Sequence, residues 1–127
     1  MDKPTANLGC GTIICAQVRH PTGRGKDLAR FYLIISPTDE NLPGEPVVCL
    51  GISRQCPDPP PEHAELLPFS PDPRSRPMSG LRQRCAVFVD WSIQVMPDEI
   101  VNSRVGYVPA KLLARILAKF RRQHDLD

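Results

Sequence analysis

The residues best suited to chemistry lie where a basic loop meets an apolar segment. Arg30 opens the run Arg-Phe-Tyr-Leu-Ile-Ile-Ser of residues 30–36, whose aromatic and β-branched residues predict a buried strand. The loop before it, Thr22-Gly23-Arg24-Gly25-Lys26, carries two more cations. An arginine at the start of a rigid strand is suited to holding a phosphate group, because its planar guanidinium group can donate two parallel hydrogen bonds. A merely solvated arginine is the alternative interpretation.

The charge distribution allows a basic groove on a nearly neutral chain. The net charge of the 127 residues is only +2, so overall electrostatics give no argument for a nucleic-acid partner. The cations are nevertheless grouped, whereas the acidic residues lie mostly in other segments. The two basic groups are Arg19, His20, Arg24, Lys26 and Arg30, and then Arg74, Arg76, Arg82 and Arg84. Scattered solvated charges remain the alternative.

The cysteines and histidines predict neither disulfides nor a metal site. The five cysteines include no Cys-x-x-Cys pair, and the three histidines lie far apart with no Cys or His at ligand spacing. No signal peptide follows Met1, and no apolar run approaches the roughly 20 residues of a membrane span. We therefore expect reduced thiols, no metal or other cofactor, no membrane association and a cytoplasmic location.

The predicted elements are short strands followed by one helix. Eight of the 15 prolines lie in one loop region, residues 56–79, and residues 1–9 read as a loose N-terminal arm. Residues 109–123 carry apolar side chains at helical spacing, namely Leu112, Leu113, Ile116, Leu117 and Phe120. The pattern predicts a single domain over residues 1–127 that is mainly β with a C-terminal helix, built as a small curled SH3-like barrel.

Four sequence blocks follow one another from Gly9 onward. The first two are Gly11-Thr12-Ile13-Ile14 with His20-Pro21-Thr22-Gly23, and Arg30 with Leu33-Ile34-Ile35-Ser36. The third, residues 47–55, contains Gly51-Ile52-Ser53, and the fourth runs from Ser79-Gly80-Leu81 through Asp90 to Val105-Gly106-Tyr107 and the helix. In their order and spacing these blocks resemble the MazF/PemK family of toxin endoribonucleases from bacterial toxin–antitoxin pairs, over nearly the whole chain.

The resemblance implies cleavage of single-stranded RNA without a metal, by attack of the ribose 2′-hydroxyl on the adjacent phosphate. Such a site needs a group that takes the 2′-hydroxyl proton, a group that protonates the leaving oxygen, and donors that stabilise the anionic phosphorane. The resemblance also implies a cognate antitoxin as partner and a homodimer.

The resemblance further implies roles for individual residues. Arg30 matches the catalytic arginine, Ser53 the catalytic threonine, Asp90 a carboxylate proposed as general base, and His20 a loop residue suited to proton transfer. The residues predicted to bind the substrate are Arg19, Arg24, Lys26, Arg54, Gln55 and Arg82.

Several positions depart from the family pattern. Ala29 and Phe31 replace a histidine and a proline on either side of Arg30, and Phe88 replaces an arginine expected two residues before Asp90. These departures motivate an alternative, a non-catalytic barrel of the same fold that binds RNA or a protein partner. A third interpretation, independent of the resemblance, is an SH3-like interaction module that uses its proline-rich loops and exposed aromatics.

Overall fold

A computed structural model describes residues 8–18 and 29–124. These residues form an antiparallel sheet, two short 3₁₀ turns and one C-terminal helix. The elements, in chain order, are β1 (Thr12–Ala16), β2 (Arg30–Ile34), the turn Thr38–Glu40, β3 (Val47–Ser53), β4 (Ala64–Leu66), β5 (Ala86–Val95), the turn Pro97–Glu99, β6 (Ile100–Tyr107) and α1 (Ala110–Gln123). None of the described helices is long and apolar enough to cross a membrane.

The six strands form one sheet in the order β4-β5-β3-β2-β1-β6, with every neighbouring pair antiparallel. Within the described residues, no ladder joins the two edge strands, β4 and β6. The loop before β5 instead packs along β6, where the Tyr107 amide donates to the Met78 carbonyl at 2.8 Å. Gly80 allows this approach, because its φ is +72° and a Cβ would collide with the backbone of Val105.

The sheet buries side chains on both faces. One core, which includes Ile13, Leu33 and Val87, packs beneath α1, whose residues Leu112 and Ile116 point into it. The second core lies on the other face and contains Ile14, Ala16, Tyr32, Ile34, Val47, Cys49 and Val95. Neighbouring residues of one strand, such as Ile13 and Ile14, therefore enter different cores, as the two-residue period of a strand requires.

The predicted fold class is confirmed: the chain is mainly β with a C-terminal helix. β5 is a single strand over Ala86–Val95, with an irregularity between its pairings to Leu50 and Gly51. The start of the helix differs from residue 109, where the helical pattern of the sequence begins. Pro109 precedes α1 instead of occupying its first turn, because its ψ of 145° is extended.

The predicted loose arm and proline-rich region each contain ordered contacts. The Leu8 carbonyl accepts a hydrogen bond from the Asn41 side-chain amide at 2.6 Å, so the end of the arm is held in place; residues 1–7 lie outside the described residues. Within residues 56–79, β4 is the one regular strand, and it forms an edge of the sheet.

Candidate functional site

Arg30 is the first residue of β2, and Ser53 is the last residue of the neighbouring strand β3. The pairing of the two strands ends at Tyr32 and Gly51, and Arg30 and Ser53 each lie two residues beyond this pair. Because side chains alternate between the faces of a sheet, Arg30 lies on the face of Tyr32, and Ser53 on the face of Gly51. The two residues therefore share a face at adjoining ends of their strands.

Both residues line a cleft of about 890 Å³. Its apolar lining comes from Phe31, Ile52, Leu81 and Cys85, and its polar lining from Arg30, Ser53, Arg54, Gln55, Arg82 and Gln83. Ala29 and Gly80 complete the wall. Six of these residues are polar and four are apolar, the latter forming what we call the cleft floor, so the cleft is more polar than a typical small-molecule pocket and suits a charged ligand.

Arg30 presents an exposed cation to the cleft. Within the described ranges, its guanidinium has no hydrogen-bond or ion-pair partner. Burial raises the pKa of the Tyr32 phenol, and the positive charge of Arg30 partly offsets that shift. The Arg30 guanidinium therefore lies close enough to the second core to act electrostatically on one of its residues. A solvent-facing guanidinium held on a rigid strand retains its donors for an incoming anion.

Ser53 is oriented by the turn that follows β3. Its Oγ accepts a hydrogen bond from the Gln55 backbone amide at 3.0 Å, which closes a local turn. In the described part of the chain, the Ser53 O–H has no acceptor. The hydroxyl can therefore donate to an anion that Arg30 also contacts.

Arg54 contacts a residue that the sequence did not single out. Its Nη1 donates to Gln83 Oε1 at 2.8 Å, across the cleft between the end of β3 and the segment before β5. Burial raises the pKa of the Cys85 thiol, and the Arg54 charge partly offsets the shift, so the guanidinium lies close to the cleft floor.

Arg82 and Arg84 hold the proline-rich loops with their guanidinium groups. Arg82 Nη1 donates to the carbonyls of Ser75 at 2.6 Å and Asp72 at 3.0 Å. Arg84 donates to the Cys56 carbonyl at 2.7 Å. Arg82 therefore lines the cleft, and its Nη1 is engaged by backbone carbonyls that hold the cleft wall, while its predicted contact with the substrate stays a prediction.

The structure does not bring Asp90 to this cleft. Asp90 lies on β5, where its Oδ2 is 3.7 Å from His63 Nε2, and both side chains are exposed. Phe88, at the position where the resemblance expects an arginine, also faces His63, with ring centroids 5.7 Å apart. The geometry gives Asp90 no contact with Arg30 or Ser53, so a general-base role for it remains a prediction without geometric support.

Four predicted residues lie outside the described residues, namely His20, Arg19, Arg24 and Lys26. The loop that carries them joins β1 to β2 and enters β2 next to the cleft at Ala29. Their predicted roles stay predictions. Across residues 8–18 and 29–124, no three His, Cys, Asp or Glu side chains are grouped as metal ligands.

Comparison with solved structures identifies similar folds. An endoribonuclease from a mycobacterial species, solved with its cognate antitoxin, has a TM-score of 0.66 and 17% identity, covering 94% of this chain and 96% of that one. MazF from Deinococcus radiodurans has a TM-score of 0.69 and 14% identity, covering 94% and 97%. A MazE–MazF complex from the same organism gives 0.65 and 16%, covering 95% and 98%.

Comparison by sequence, unlike comparison by structure, finds no match. No protein-family model matches the chain, and no curated protein matches it. The structural likeness, by contrast, extends over almost the full length of each compared chain at TM-scores from 0.65 to 0.69. The chain therefore has the fold of the MazF endoribonuclease toxins.

Proposed function

We propose that this protein is the toxin component of a bacterial toxin–antitoxin pair and cleaves single-stranded RNA without a metal ion. The observation that carries the proposal is that Arg30 and Ser53, at adjoining ends of β2 and β3, line one cleft. A fixed cation beside a hydroxyl donor is the arrangement that an anionic phosphorane requires. The endoribonucleases with the same fold support this choice over other phosphate chemistry.

The proposed reaction is an internal transfer at phosphorus. The ribose 2′-oxygen forms a bond to the adjacent phosphorus while the bond from phosphorus to the 5′-oxygen breaks, which leaves a 2′,3′-cyclic phosphate and a 5′-hydroxyl. The 2′-hydroxyl proton passes to a base, and the leaving 5′-oxygen receives a proton. In this scheme the Arg30 guanidinium and the Ser53 hydroxyl donate to the non-bridging oxygens, whose negative charge grows in the transition state. His20 is the proposed proton-transfer residue.

The cleft fits an unpaired nucleotide. Its apolar floor, with the Phe31 ring as its aromatic member, offers a base a surface that it can cover only after leaving a helical stack. The polar residues around this floor can contact the sugar-phosphate backbone and the base edge. Duplex RNA keeps its bases stacked inside the helix, so we propose single-stranded RNA as the substrate.

The proposed partners follow from the compared proteins. The mycobacterial endoribonuclease was solved with its cognate antitoxin, and the Deinococcus protein as a MazE–MazF complex. We extend this to a cognate antitoxin that neutralises the present protein in the cytoplasm. We also propose a homodimer, on the basis of the sequence resemblance.

Cleavage of a long single-stranded RNA in excess EDTA tests the proposal. We expect fragments that carry 5′-hydroxyl and 2′,3′-cyclic phosphate ends. The matched substrate with 2′-O-methyl groups has no 2′-hydroxyl to attack, so it should remain intact. Cleavage of the 2′-O-methyl RNA, or cleavage of the unmodified RNA only when Mg²⁺ is added, would contradict the proposed chemistry.

The alternative function is RNA binding without cleavage. It is favoured by the engagement of Arg54 and Arg82 with acceptors of the protein itself, which leaves Arg30 as the cleft arginine with no such contact among the described residues. This alternative predicts salt-sensitive binding of RNA that stays intact at any protein concentration.

A further inference from the structure

We propose that Gln83 determines base specificity in the cleft and favours bases that present a carbonyl oxygen over bases that present an amino group. The inference deepens the proposed function and rests on its assignment of RNA to this cleft. The carrying observation is the hydrogen bond between Arg54 and Gln83, which fixes the orientation of an exposed amide on the cleft wall.

The chemistry of the pair sets that orientation. A guanidinium group has only donors, so the amide of Gln83 can face Arg54 only with its oxygen. The observed contact, from Arg54 Nη1 to Gln83 Oε1 at 2.8 Å, has this arrangement. The NH₂ group of Gln83 is then directed away from Arg54. A glutamine without such a partner could present either end of its amide, whereas this one is held as a donor.

The surroundings of Gln83 suit a nucleobase. The same cleft is lined by the Phe31 ring and by Leu81, two apolar side chains on which a base can lie. It also contains Arg30 and Ser53, the residues proposed to hold the phosphate. A nucleotide whose phosphate contacts Arg30 and Ser53 therefore has both an apolar surface and a fixed polar group within the same cleft.

A fixed donor distinguishes the bases by one functional group. Uracil and guanine carry carbonyl oxygens, O4 and O6, where cytosine and adenine carry amino groups, N4 and N6. The NH₂ of Gln83 can donate a hydrogen bond to either carbonyl oxygen. Opposite an amino group, two donors face one another, and no hydrogen bond forms. One such hydrogen bond, gained or lost, corresponds to a preference of roughly tenfold.

The Gln83→Glu variant reverses the polarity at this position. A carboxylate still accepts the hydrogen bond from Arg54, but it offers only acceptors to the base. We therefore expect the preference to change from carbonyl to amino bases. Gln94→Glu is the matched control, since it adds the same charge at an exposed position of β5 that does not line the cleft and leaves the Arg54–Gln83 pair intact. Gln83→Ala removes the donor and should abolish the discrimination.

Binding of 2′-O-methyl oligonucleotides measures the preference independently of cleavage. The parent and the three variants are each tested with sets of oligonucleotides that differ at one position, either uracil against cytosine or guanine against adenine. We expect the parent to favour the carbonyl base at one position by roughly tenfold, Gln83→Glu to invert this preference, and Gln94→Glu to keep it.

The outcomes separate the two proposals. A parent that shows the base preference but never cleaves unmodified RNA contradicts the proposed nuclease activity and still supports the role of Gln83. A parent with no preference between carbonyl and amino bases at any position, or a Gln83→Glu variant with the parent's preference unchanged, overturns the inference about Gln83.

Discussion

Arg30, the first residue of β2, and Ser53, the last residue of β3, line the same cleft, each two residues beyond the Tyr32–Gly51 pair. The relationship depends on the sheet register, because a slip of one residue would turn one of the two side chains to the other face. The register is stabilised on both faces, by Leu33 and Leu50 in one core and by Tyr32 and Cys49 in the other. The cores thus hold the proposed phosphate site in place without contributing to its chemistry.

Replacement of Ser53 tests the hydroxyl donor. Ser53→Ala removes the proposed hydrogen bond to the phosphorane, and we expect the rate of RNA cleavage to fall by roughly 100-fold, as for the loss of one oxyanion donor. Ser53→Thr keeps the hydroxyl and should retain cleavage close to that of the parent. Single-turnover cleavage measures both variants. Equal rates for Ser53→Ala and the parent would remove Ser53 from the mechanism.

Replacement of Asp90 tests the carboxylate that the sequence resemblance singled out. Asp90 contacts His63 outside the cleft, so we expect Asp90→Asn to cleave RNA at a rate within a factor of about three of the parent. The comparison uses the same RNA and the same single-turnover conditions. A loss of cleavage in a variant with unchanged thermal unfolding would restore Asp90 as a candidate general base.

Stability at acid pH depends on Glu65. Burial raises the pKa of Glu65, but hydrogen bonds from Arg115 and Lys119 on α1 outweigh burial, so the pKa lies below its usual value. Because the pKa of Glu65 is lower in the folded than in the unfolded chain, the ionised carboxylate stabilises the fold. This contribution to the free energy of unfolding is fully present above the unfolded pKa of about 4.3, and it is lost as the pH falls through the folded pKa.

The Glu65→Gln variant measures this contribution. At pH 7 we expect its free energy of unfolding to be lower than that of the parent by about 1 kcal/mol, since the contacts with Arg115 and Lys119 lose their ionic character. The difference should shrink in urea titrations at about pH 3, which lies below the unfolded pKa, so that part of the contribution is lost. A difference that is the same at both pH values would contradict the proposed linkage.

Packing beside the cleft is tested at Gly51. A Cβ at this position would overlap the six-membered ring of Trp91, which lies on the glycine backbone and makes an edge contact with Tyr32. We expect Gly51→Ala to lower the free energy of unfolding by about 1–3 kcal/mol through overpacking. In the Trp91→Ala background the same substitution should cost much less. If the effects of the two substitutions on the free energy of unfolding were additive in a double-mutant cycle, overlap with the Trp91 ring would not be the cause of the destabilisation.

The strands and the helix were predictable because each has a strong local pattern. The spacing of Leu112, Ile116 and Phe120 identifies α1, and the run from Arg30 to Ile34 identifies β2. Arg30 and Ser53 could be named as candidate site residues because each stands at the end of such a strand. Gln83 lies in the irregular segment just before β5, where no sequence pattern distinguished it.

The loops were not predictable in the same way. Whether Arg82 meets a phosphate or the carbonyls of Asp72 and Ser75 depends on how residues 70–81 fold back on themselves, and no periodic pattern encodes that path. The contact between Arg54 and Gln83 likewise joins segments 29 positions apart in sequence. Members of both basic groups line the cleft, but the sequence did not indicate which of these arginines contacts acceptors of the protein itself.

Substitution of Arg30 tests the central claim most directly. Arg30→Ala is compared with Arg104→Ala, which removes an exposed strand arginine on β6 that does not line the cleft, in cleavage of single-stranded RNA under excess EDTA. We expect Arg30→Ala to lose cleavage by at least roughly 100-fold while its thermal unfolding stays that of the parent, and Arg104→Ala to cleave like the parent. Undiminished cleavage by folded Arg30→Ala would contradict the account.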